Sequence, residues 1–140
     1  MFVLNIKSLA IVALATIAAP CFAYSCSASE AYENGRASLD ELNRINGAQL
    51  GVAVKFLQKK EGIGFDAALK EVMQHGTSPE IRSRDAQLAE VAEKIQAMKP
   101  QSEDECMALL ELQHQYGELG RQKIALIVKD VTGQDASSDK

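Results

Sequence analysis

Two groups of residues in this chain have types and spacings that could do chemistry. Glu111, His114 and Glu118 fall at i, i+3 and i+7. On a helix that spacing puts two carboxylates and an imidazole on one face, where they could hold a divalent cation. The second group is the cysteines, Cys21, Cys26 and Cys106. No C-x-x-C spacing occurs, so a redox pair or a thiolate metal site is not expected. There is also no H-E-x-x-H, no haem-attachment C-x-x-C-H, no calcium loop and no G-x-S-x-G serine. For the Glu111–His114–Glu118 trio, a solvated charged face around one histidine is the preferred reading, with His114 hydrogen-bonded beside the apolar stripe as the other. His75 is the remaining histidine.

Gly62-x-Gly64-x-x-Ala67 matches the dinucleotide fingerprint in form, with Asp85 about 20 residues on. It fails physically, because Gln58-Lys59-Lys60-Glu61 separates the glycines from any strand that could precede them. The segment reads as a turn between helices. Gly47-x-x-x-Gly51 reads as a packing notch that lets another helix approach, and Gly117 and Gly120 as a kink or tight crossing.

The N-terminus sets the compartment. Lys7 is followed by the uncharged run Leu9 to Ala19, then Pro20-Cys21-Phe22-Ala23. A basic residue, a short apolar core and small residues before the cut define a secretory signal, expected at 1–23. The apolar run is about a dozen residues, too short for a membrane span of roughly 20. No stable membrane anchor is expected after cleavage, and the mature protein is expected to be periplasmic or secreted. Cleavage discards Cys21, leaving Cys26 and Cys106 to pair in an oxidising compartment. A bridge closing so long a loop is worth about 4 kcal/mol by chain-entropy reasoning.

Cleavage also removes Lys7, which takes the formal charge from −4 to −5. A mildly acidic chain without tryptophan offers little to nucleic acid, which is not expected as a partner.

The mature chain reads as helix nearly throughout, in one domain over 24–133, with a polar tail at 134–140. Ser38-Leu39-Asp40-Glu41 has the capping-box pattern and predicts a helix start. Residues 27–34 form either a separate short helix or an extension of it. Leu42, Ile45, Gln49, Val52 and Phe56 then recur at spacings of three and four, the expected core stripe. Leu50, Val54 and Leu57 make an adjoining stripe. It is the candidate partner face or homodimer face if a three-helix core cannot bury it, and is interior if the short helix covers it.

Gly62-Ile63-Gly64 ends this helix, and a short one follows over 65–75. Thr77-Ser78-Pro79-Glu80 is the clearest start signal, and Pro100 a stop. Ser102-Glu103-Asp104-Glu105 opens the last helix. That helix is apolar on two sides, along Leu110, Val128 and Val131 and along Leu112, Tyr116 and Leu119, so it should pack between two others.

A disulfide needs its Cα atoms within about 7 Å. Four full-length antiparallel helices would hold the cysteines a bundle length apart. The expected fold is therefore all-α: an antiparallel helical bundle of three long helices plus a short connecting helix, with one disulfide. The expected function is non-catalytic, by binding a protein, in one version as an inhibitor or immunity protein. In format, though in no individual motif, the chain is similar to immunity proteins of type VI secretion amidases. The alternative is a periplasmic metal or small-ligand carrier using Glu111, His114 and Glu118. No enzyme activity and no cofactor are expected.

Overall fold

A computed structural model describes residues 24–134. The expected signal at 1–23 and most of the expected tail, 135–140, lie outside the described residues. Within them the chain is all-helical. A 3-10 turn at Cys26–Ala28 leads into α1 (Glu30–Glu61), α2 (Phe65–Gln74), α3 (Pro79–Ala97) and α4 (Glu103–Thr132). The lengths are 32, 10, 19 and 30 residues. Two helices are long, one is intermediate and one is short, so the expected three-plus-one division is inexact.

The ends of these helices follow from their capping residues. Ser29 accepts a hydrogen bond from the Tyr32 amide and starts α1. Ser78 does the same for Ile81, with Pro79 in the first turn of α3. Ser102 caps α4 through the Glu105 amide, and the Glu105 carboxylate accepts in return from the Gln101 amide at 2.6 Å. Gly62 and Gly133 close α1 and α4 at φ 68° and 73°, left-handed backbone that a side chain disfavours. The expected start at Ser38 is corrected. Ser38 lies inside α1, where its hydroxyl donates to the Gly35 carbonyl at 3.2 Å. Residues 30–61 are one helix.

α4 packs along both α1 and α3, as an element apolar on two sides must, and α2 packs on α1. α1 and α4 run in the same direction. Their cross-contacts advance together: Ser29 with Glu103, Tyr32 with Gln113, Ser38 with His114 and Asn46 with Gly117. Parallel helices set like dipole ends side by side. The first turns carry Glu30, Glu33, Glu103, Asp104 and Glu105, and the last turns carry Lys59, Lys60 and Lys129. Each sign offsets the dipole end it sits on.

The parallel arrangement brings both cysteines to one end. The Cys26–Cys106 disulfide joins them with Cα atoms 5.5 Å apart. Beside it Tyr32, Cys106 and Leu110 form a small apolar cluster. The larger core lies at the opposite end and draws on all four helices. It contains Ala53, Val54 and Leu57 of α1, Ala68 and Val72 of α2, Ile81 of α3, and Ile127, Val128 and Val131 of α4.

Between the two clusters the α1–α4 contact is polar and small. Asn46, 9 % exposed, donates from Nδ2 to the Gly117 carbonyl at 3.0 Å. A Cβ on Gly117 would stand 2.7 Å from Leu42 Cδ2. Gly117 is thus the expected tight crossing. Gly47 and Gly51 are not: a Cβ on either meets nothing within 4 Å. No other helix closes on them, and the packing-notch reading is corrected.

Candidate functional site

The stripe Leu50, Val54, Leu57 is interior. Val54 and Leu57 are each 2 % exposed, and Leu50 is half-buried against the same core. Ala68 and Val72 of α2 sit in that core fully buried, so the short helix supplies the cover. As a partner face this stripe is therefore corrected. The stripe read as core takes the opposite fate in part. Val52 is 55 % exposed and Phe56 37 %, while Ile45 and Gln49 are half-buried. Both stripes have helical period. The side on which α2 folds back decides which is covered, and that is a tertiary choice.

The Glu111–His114–Glu118 trio does not converge on a cation. Glu118 turns to Arg121, which donates from Nε at 2.9 Å. The Arg121 guanidinium holds the Glu118 carboxyl below the usual carboxylate range, with a smaller contribution from Gln122. His114 turns the other way. Its Nε2 lies 3.2 Å from Ser38 Oγ and 3.3 Å from the Gly35 carbonyl, so it ties α4 to α1. Glu111 is exposed. Among the described residues, no three histidine, cysteine or acidic side chains are placed to hold a metal ion.

His75 ends α2 and lines an open depression of about 310 Å³ with Glu71 and Gln74. Its walls come from a single turn of one helix and the residue after it. The Gly62–Ala67 segment is the α1–α2 turn with the first residues of α2, as its failed fingerprint implies.

Two further side chains stand out on the surface. Phe65 and Met73 of α2 are 57 % and 55 % exposed. They lie eight residues apart, about 80° apart around the helix at 100° per residue. The row Ala68–Val72 beside them is buried. All four positions suit one amphipathic helix, so their pattern alone does not say which are inside. Small Ala68 sits innermost, where α2 lies against α1.

None of the described helices is long and apolar enough to cross a membrane. No protein-family model, no curated protein and no solved structure matches this chain.

Proposed function

We propose that this chain is an exported, non-catalytic helical protein that works by binding another protein, in its most concrete version as an inhibitor or immunity protein. The observation that carries the reading is on α2. A ten-residue helix, clamped by the buried Ala68 and Val72, presents Phe65 and Met73 to solvent. Two large apolar side chains on a held scaffold can seat in a partner's surface, and the fixed backbone limits the freedom lost on docking. The disulfide supports an oxidising compartment. Charge acts at the other end, where Glu30, Glu33, Glu103, Asp104 and Glu105 gather at the parallel helix starts. A basic partner is steered by that field, and its association rate falls as salt rises.

The test is an affinity pull-down from the native envelope fraction with oxidised chain 24–140, run beside a Phe65→Asp/Met73→Asp variant. A stoichiometric partner kept by the wild type and lost by the variant is the expected result. Equal capture by both, or no partner with either, removes the reading.

A further inference from the structure

The α1 stripe left open on the surface has an order of its own. Ile45, Val52 and Phe56 fall within an arc of about 40° on the helix wheel, roughly 130° from the buried Ala53, Val54 and Leu57. Ile45 is half-buried, Phe56 is just over one-third exposed and Val52 is more than half exposed. α1 packs on α4 and on α2, and the core it shares with them contains Ala53, Val54 and Leu57. The stripe spans about 16 Å along the axis.

Its two ends carry opposite charge. Glu41 lies one turn before Ile45, and Lys59 and Lys60 lie one turn after Phe56. Both ends are engaged only in weak local contacts at present. Glu41 takes two hydrogen bonds from Arg44 at 2.7 Å, with both side chains more than half exposed. Lys60 Nζ lies 5.8 Å from the centroid of the Phe56 ring, which places it at the end of this same stripe. Exposed pairs of this kind contribute little and can be exchanged.

We infer that this face docks a second copy of the chain, with the two α1 helices antiparallel. The argument is self-complementarity. A two-fold axis midway between residues 50 and 51 sets Ile45 against Phe56 of the second copy, Gln49 against Val52 and, on one flank, Glu41 against Lys59. An isologous interface requires one surface to match itself when reversed, and this stripe does so in both shape class and charge. Parallel pairing is disfavoured because it opposes Glu41 to Glu41 and lysine to lysine. A stripe this short buries less than the standard specific interface, so the dimer is weak. This inference uses a different face from Phe65 and Met73 and does not rest on the protein-binding reading.

The experiment is sedimentation of oxidised chain 24–140, which holds every described helix and both bridged cysteines, up to about 1 mM. The wild type should pass from monomer to dimer as concentration rises. Val52→Asp/Phe56→Asp should be monomeric with an unchanged helical spectrum, and Phe65→Asp/Met73→Asp should dimerise like wild type. Glu41→Lys alone and Lys59→Glu/Lys60→Glu alone should each weaken self-association by about tenfold, and mixing the two variants should restore pairing. A wild type that stays monomeric throughout overturns the inference. So does a dimer that survives Val52→Asp/Phe56→Asp, or charge variants that fail to pair when mixed.

Discussion

Gly35 of α1 and Leu110 of α4 share one space: a Cβ built on Gly35 runs into the Leu110 Cδ2 methyl. The absent side chain is what lets the two parallel helices meet beside the disulfide. Leu110 is 4 % exposed and packed with Tyr32 and Cys106, so it has little room to yield.

Four of the five glycines within α1 and α4 should therefore part company in experiment. Gly35→Ala and Gly117→Ala combine better helix propensity with overpacking, and should lower stability by about 1–2 kcal/mol net. Gly47→Ala and Gly51→Ala meet open space within 4 Å and should raise it by about 0.5–1 kcal/mol. Urea midpoints at constant slope measure both signs.

Capping gives a second contrast. Ser29→Ala removes the acceptor for the Tyr32 amide and its own donation to Glu103 at 3.0 Å, and should cost about 1–2 kcal/mol. Ser38→Ala, in the sequence pattern that most resembles a cap, should cost less than about 0.5 kcal/mol, since it starts no helix. Thermal melts of the two variants side by side decide the matter.

Acid should weaken the fold through specific carboxylates. Glu41, Glu90 and Glu118 are held below their ordinary value of 4.5 by hydrogen bonds from Arg44, Lys94 and Arg121. A carboxyl with a depressed folded pKa contributes stability that is complete above its unfolded pKa and lost as pH falls through the folded value. The urea midpoint should therefore hold steady from neutral pH down to about 4.5 and fall below it. Glu118→Gln should flatten part of that fall, and added salt should shrink it, because all three groups are at the surface.

Reducing the bridge should lower stability by about 2–4 kcal/mol, by freeing the unfolded chain. Cys26→Ala/Cys106→Ala, melted without reductant, should match the reduced wild type. Dithiothreitol should leave the melting temperature of that variant unmoved.

Much of this architecture was legible from local chemistry. The starts of α3 and α4 carry Ser78-Pro79 and Ser102 with its acids, and the bridge fixed both cysteines at one end. What local chemistry could not reveal was anything decided by a distant segment. Nothing around Gly35 shows that Leu110, 75 positions later, needs the space. Ser38-x-x-Glu41 satisfies a capping rule that says nothing against a helix already running. Val52 and Phe56 match Val54 and Leu57 in hydropathy and period, and only the return of α2 chooses between them. The Glu111–His114–Glu118 spacing was real, but Arg121 and Ser38 offered nearer partners.

The placement of the disulfide has a mechanical consequence. Force applied to the two ends of the chain enters at Cys26, crosses directly to Cys106 and runs down α4 to Gly133. The intervening chain, with α1, α2 and α3, hangs as a closed loop outside the load path. Tension can fray α4, but it cannot peel the other three helices in sequence. Reduction would return 80 residues of separation to that path, about 270 Å of extensible chain. The bridge thus sets how much of the chain tension can draw out.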